Sequence, residues 1–210
     1  MKKLFVEKVS MIEMDKGSIQ ESISKNDGRL IIRNVLLQRA DTPNKNRRVY
    51  PRSILEKELN NYFKKIDEKR AFGELDHPMG DDGNVVSLKN VCQVIKDARW
   101  KGNEVIGDIE VLKTPSGNII KEILLAGYRI GQSSRGLGSV QPLKEGDDDV
   151  VEVQDDFELL TLADCVSDES THNANMIIGE GYNRKITYEN KVDELIREII
   201  CEISGVCPLC

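Results

Sequence analysis

Histidine is nearly absent from this chain, with two in 210 residues, so any chemistry that needs an imidazole rests on His77 or His172. Cysteine is sparse too: five residues, an odd number without regular spacing, exclude a disulfide framework and read as reduced thiols. Cys207-x-x-Cys210, with Cys201 and His172 nearby in sequence, is a single pair at a chain end and weak as a zinc signature, so no metal or cofactor is expected. No apolar stretch reaches the roughly 18 residues of a membrane-spanning helix. Glu7 and Lys8 break the N-terminus where a secretory signal needs its apolar segment, which places the expected product in the cytoplasm. Positive charge is also in deficit: the net charge is -6, which gives no electrostatic footprint for nonspecific nucleic-acid binding. The basic cluster Lys45 to Arg48 reads as a solvated loop.

What is present is the composition of a globular domain, 39% hydrophobic and 31% charged, long enough for one large core. Residues 1–28 mix short apolar runs with polar residues and end in the turn signal Lys25-Asn26-Asp27-Gly28; they read as a loosely attached leader with room for one strand. Leu30 to Leu37 predicts a buried strand, followed by a polar loop from Asp41 to Arg48. Pro51 opens an amphipathic helix over 51–66, with Ile54, Leu55, Leu59, Tyr62 and Phe63 on one face.

Strands follow near Ala71 to His77, Val91 to Trp100 and Glu104 to Leu112, the last two joined by a tight turn at Lys101-Gly102-Asn103. Thr114-Pro115 starts a second helix that ends at Gly127, and further strands are expected near Val150 to Val153 and Phe157 to Val166. The compact domain is thus 29–176, and 177–210 reads as a tail with a helix from Tyr188 to Ile203. Many short strands with two helices predict an α+β, β-rich fold, a small β-barrel surrounded by helices.

Two motifs carry the chemistry. Gly131-Gln132-Ser133-Ser134-Arg135-Gly136-Leu137-Gly138-Ser139 sets two serines and an arginine in a glycine-rich run, expected as a bend. Gly73-Glu74-Leu75-Asp76-His77-Pro78 holds one of the two histidines. Serine attacks only when a base removes its proton, and that base works best when an anion fixes its tautomer. In an extended 71–77 segment His77 shares a face with Gly73 and Leu75, while Asp76 points away with Phe72 and Glu74. Asp164 falls among Leu160, Leu162 and Val166, an apolar face where a carboxylate needs a partner, so it is the favoured anion. Parity leaves Ser133 and Ser134 undecided. Cys165 reads as packing. Plainer readings compete: a structural histidine beside proline, a serine turn, a local aspartate cap. The chain order His, Ser, Asp differs from the chymotrypsin, subtilisin and α/β-hydrolase orders and disfavours those folds.

Asn46-Arg47-Arg48-Val49-Tyr50-Pro51, Gly73 to Pro78, Trp100-Lys101-Gly102-Asn103 and Ser133 to Ser139 together resemble the prohead core proteases of T-even-type bacteriophages over about residues 30–175. That family is similar in fold to the herpesvirus assemblins, serine proteases on a β-barrel surrounded by helices. The resemblance implies His77 as general base, Ser133 as nucleophile and Asp164 as orienter. Where the family often reads Pro-Ser after the aspartate, this chain has Asp168-Glu169-Ser170, which makes Asp168 the competitor of Asp164. His172 competes for the third role because assemblins use a second histidine. Backbone N–H groups of the glycine-rich bend would hold the oxyanion, with Arg135 either beside it or in a surface ion pair.

The resemblance further implies cleavage of phage scaffold, core and capsid proteins after Glu in Leu/Ile-x-Glu sites, inside the immature prohead in the host cytoplasm. Such triplets occur at Ile19-Gln20-Glu21, Ile178-Gly179-Glu180, Ile196-Arg197-Glu198 and Ile200-Cys201-Glu202, so self-removal of both ends is expected; Ile54-Leu55-Glu56, inside a helix, is a chance match. Neither nucleic acid nor membrane is an expected partner, and homo-oligomerisation is left open. The alternatives are a non-catalytic prohead scaffold component with a protease-like barrel, and a small esterase or amidase, which the missing Gly-x-Ser-x-Gly elbow disfavours.

Overall fold

The computed structural model describes residues 2–78, 84–144, 147–167 and 175–177, all within one compact unit, Met1–Gly179. In chain order its elements are β1 (Lys3–Glu13), α1 (Lys16–Lys25), β2 (Leu30–Arg39), β3 (Arg48–Val49), α2 (Arg52–Asp67), β4 (Phe72–Glu74), β5 (Val91–Lys101), β6 (Glu104–Val111), α3 (Pro115–Leu125), β7 (Ile130–Gly138), β8 (Val140–Lys144), β9 (Asp147–Val153), β10 (Glu158–Val166) and β11 (Asn175–Ile177). The strands form sheets ordered β10-β7-β1-β11, β2-β6-β5-β4 and β3-β9-β8. The class is mixed α+β and rich in β, as the patterning indicates. None of the described helices is long and apolar enough to cross a membrane.

Among the described residues the strands do not close into a barrel. At one seam the first two sheets share one isolated backbone bridge, Leu75 to Cys165, and no continuous ladder among the described residues. At the other, Ser10 Oγ donates to the Leu36 carbonyl at 2.8 Å, with no ladder between β1 and β2. Side chains occupy the β10 edge instead: Lys65 Nζ donates to the Leu160 carbonyl at 2.9 Å, and the Leu159 N–H donates to Glu58 at 2.9 Å. A capped edge cannot continue a ladder.

Residues 1–28 are not a loose leader. Lys3–Glu13 alternates in burial, with Phe5, Glu7, Val9 and Ile12 inside, because it lies between β7 and β11. Asp15 caps α1 by accepting the Ser18 N–H at 2.9 Å, and Ile19 is fully buried. The polar residues that made the segment look loose include Glu7, which is 1% exposed. Its carboxylate accepts from Asn44 Nδ2 (2.6 Å), Asn46 Nδ2 (2.7 Å), Arg48 and the Tyr50 hydroxyl (2.8 Å). Burial, followed by the Glu7 charge, pushes the Tyr50 phenol well above its usual value. The Asn46 to Pro51 motif is therefore a clasp on β1, and Arg48 is turned inward from its supposedly solvated loop.

The other expectations fare unevenly. The two helices lie where Pro51 and Thr114 signal them, and Thr114 Oγ1 accepts the Gly117 N–H at 3.1 Å. The β5–β6 hairpin turns at Gly102-Asn103. The strand expected over 71–77 stops at Glu74, because Asp76 turns into the left-handed region with φ of 61°.

Deleting residues 1–13 removes Phe5, Val9 and Ile12 from the core, at about 1.5–3 kcal/mol each, as well as the Glu7 clasp. The truncated chain is expected to lose its cooperative thermal transition in near-UV circular dichroism; a transition within a few degrees of the full chain's would contradict the placement of β1.

Candidate active site

The glycine-rich run is a paired central strand and not a bend. β7 stays regular from Ile130 to Gly138, and its neighbours absorb the irregularities: β1 between Lys8 and Ser10, β10 between Leu159 and Thr161 and again between Thr161 and Asp164. Its glycines serve close approach. A Cβ on Gly136 would lie 2.3 Å from the Phe157 ring. With the alternation of β7 intact, Ser133 and Arg135 face one side, and Gln132 and Ser134 face the other.

That alternation separates the two serines. Ser134 Oγ, on the far face, accepts from Gln38 Nε2 at 3.0 Å. Gln132 accepts from Gln93 Nε2 at 2.7 Å on the same face, where Cys165 donates to Gln93 Oε1 at 3.1 Å. Ser133 is the cross-strand partner of Asp164, so their side chains share a face. His77 spans the two: Nε2 lies 2.8 Å from Ser133 Oγ and Nδ1 lies 3.0 Å from Asp164 Oδ2. A carboxylate only accepts, so Nδ1 carries the proton and Nε2 presents its lone pair to the serine hydroxyl. His77 is 16% exposed at its side chain, whereas Asp164 is fully buried.

Gly73 lets the histidine arrive there. A Cβ on Gly73 would stand 1.8 Å from the Ala163 carbonyl, so only glycine allows β4 to run this close to β10. Beyond it the Glu74 N–H donates to Asp164 Oδ1 at 2.9 Å and the Asp76 N–H to the Cys165 carbonyl at 2.8 Å. These bonds stitch the Gly73 to His77 segment alongside β10, and the positive φ of Asp76 then turns the chain so that His77 reaches inward. The face assignment of an unbroken strand therefore fails: Glu74 joins His77 in one network and does not point away.

Arg135 is not on the surface but pairs with two buried carboxylates. It is 1% exposed, and its Nε donates to Asp164 Oδ2 while its Nη2 pairs with Glu74 Oε2. Glu74 is fully buried, and its Oε1 accepts the Ser87 N–H at 3.0 Å. Asp164 thus accepts from an imidazole, a guanidinium and a backbone amide, the compensation that a buried carboxylate requires. Glu74 and the buried partners of Arg135 escaped the sequence reading. The available signal was the demand of a buried aspartate for more than one donor, with an arginine two residues after the serine. Asp168, Ser170, His172, Cys201, Cys207 and Cys210 lie outside the described residues.

The family model described as prohead core protein serine protease matches residues 4–183. The prohead core protein protease of Enterobacteria phage T4 is 38% identical over 120 residues, which are 56% of this chain and 55% of that relative; the chain thus spans about half the length of the curated relative it matches. The structure of the bacteriophage T4 capsid assembly protease, gp21, superposes with a TM-score of 0.62 at 27% identity, covering 79% of this chain and 97% of that one. A match that takes in every strand from β1 to β11, together with His77, Ser133 and Asp164, means that the chain belongs to the prohead core protein serine protease family.

Proposed function

We propose that this chain is a serine endopeptidase of phage head maturation, with Ser133 as nucleophile, His77 as general base and Asp164 as the anion that orients it. The observation that carries this reading is the bridge of His77 between Ser133 Oγ at 2.8 Å and Asp164 at 3.0 Å. As Ser133 Oγ attacks the scissile carbonyl carbon, its proton passes to His77 Nε2, and Asp164 stabilises the imidazolium. The same proton goes to the leaving amine as the C–N bond breaks, and a water repeats the sequence to free the acyl group. The substrates are the core, scaffold and capsid proteins of the immature prohead, inside which the enzyme acts, cut after Glu in Leu/Ile-x-Glu sites. The names of the T4 relatives, a prohead core protease and a capsid assembly protease, support that setting.

A fluorophosphonate probe tests the nucleophile directly and needs no peptide substrate. Serine Oγ bonds to phosphorus, fluoride leaves, and the serine proton goes to His77. Intact-mass and peptide mapping should place one adduct on Ser133, absent in Ser133→Ala, with Ser134→Ala labelled within about tenfold of the wild-type rate. Labelling of Ser134, or undiminished labelling of Ser133→Ala, would overturn the assignment.

Self-cleavage is proposed for the C-terminal end alone. Ile19-Gln20-Glu21 lies in α1 with Ile19 buried, so a cut there needs the helix to unwind first and would detach β1. Ile178-Gly179-Glu180, Ile196-Arg197-Glu198 and Ile200-Cys201-Glu202 are the remaining candidates. On incubation the wild-type protein should lose mass ending at one of these glutamates while Ser133→Ala stays full length; equal trimming of both would refute self-cleavage.

A further inference from the structure

We infer that Glu74 is a positioning residue whose charge offsets Arg135, so that Asp164 keeps one net negative charge facing His77. This rests on the reading of Ser133, His77 and Asp164 as the reacting set. An aspartate bound by a guanidinium alone forms a neutral pair, which cannot stabilise an imidazolium as a lone carboxylate does. In this chain Arg135 is shared: Nε meets Asp164 Oδ2, and Nη2 meets Glu74 Oε2 and lies 3.4 Å from Asp164 Oδ1. Two carboxylates and one guanidinium, each no more than 1% exposed, sum to a single negative charge in a buried site of low dielectric.

Glu74 is fixed for this role from both ends. Its backbone N–H holds Asp164 Oδ1 and its Oε1 takes the Ser87 N–H, so its side chain is tied to the loop that follows His77. Of the other charged groups nearby, Asp76 is exposed to solvent, while Lys65 and Arg70, which line a cavity with Arg135, are engaged by the Leu160 carbonyl and by Glu68. Tyr62 on α2 has its phenol pushed up to about 12 by burial, and its hydroxyl stands beside Thr161 and the Leu162 amide without a hydrogen bond to either. Cys92 on β5 is raised by its contact with Cys165 and by burial, and Cys165 on β10 turns its thiol to Gln93.

The test is the pH dependence of fluorophosphonate labelling of Ser133 in the full chain. Glu74→Gln keeps the Ser87 contact but leaves Asp164 and Arg135 neutral together. Its acid limb should move to lower pH by up to about one unit, with the plateau rate roughly tenfold lower. In the double variant Glu74→Gln/Arg135→Met both compensating charges go and Asp164 alone restores the net negative charge. Its acid limb should return to the wild-type position, and replacing a buried pair by neutral groups of similar volume is tolerated where breaking it is not. A Glu74→Gln limb at the wild-type pH, or a double variant displaced as far as Glu74→Gln, would overturn the inference and mark Glu74 as structural. Wild-type protein that takes no label at any pH would instead overturn the reading on which the inference rests. If Glu74→Gln melts before it can be titrated, the double variant decides alone: folded with the wild-type limb supports the charge offset, folded with a displaced limb refutes it.

Discussion

A carboxylate with no exposure to solvent, Asp164, is the constraint around which this molecule is arranged. A buried anion is tolerable only if donors converge on it, and here they come from two parts of the chain: the Glu74 amide and His77 imidazole from one segment, and the Arg135 guanidinium from β7. Two donors come from β4 and the segment after it and the third from β7, and both strands must hold their register to deliver them. Removing one partner of such a set is expected to cost about 3–5 kcal/mol, a large part of the roughly 5–15 kcal/mol that keeps a domain folded. The site and the fold are thus secured by the same contacts.

The architecture follows from that requirement. β7 is kept regular at the centre of its sheet while β1 and β10 take the bulges, which preserves the alternation that sends Ser133 one way and Ser134 the other. The two larger sheets meet where Gly73 passes the Ala163 carbonyl, and the bridge from Leu75 to Cys165 fixes the height at which His77 enters. On the opposite face of β7, Gln38, Gln93 and Gln132 give a polar backing that fixes the strand without adding charge. β1 is held from its other side by the Glu7 clasp, and Glu7 is the cross-strand partner of Ser134. The Asn46 to Pro51 motif therefore acts on the site at one remove.

Much of this was legible in the sequence where a local rule governs. Pro51 and Thr114 announce their helices, the β5–β6 hairpin follows from Gly102, an apolar run marks β2, and period-two patterning marks β5 and β6. Reading failed where tertiary contacts overrule local pattern. The glycines of β7 look like a bend but make room for Phe157, and the polar residues of β1 look solvated although Glu7 is buried against partners 37 to 43 residues away. Parity misplaced Glu74 because the positive φ of Asp76 ends the strand early. A charged pair such as Arg135 and Glu74, 61 residues apart, leaves no periodic trace. Only the chemical demand of a buried aspartate pointed toward it.

The role of Asp164 as the organising anion is tested most directly by the rate at which the fluorophosphonate probe labels Ser133 in Asp164→Asn, measured beside a check that the variant still melts cooperatively. An asparagine that donates toward Nδ1 forces the wrong imidazole tautomer, so the account predicts a folded protein whose labelling falls by about 10³–10⁴-fold. A folded Asp164→Asn protein labelled within a few fold of the wild-type rate would contradict it.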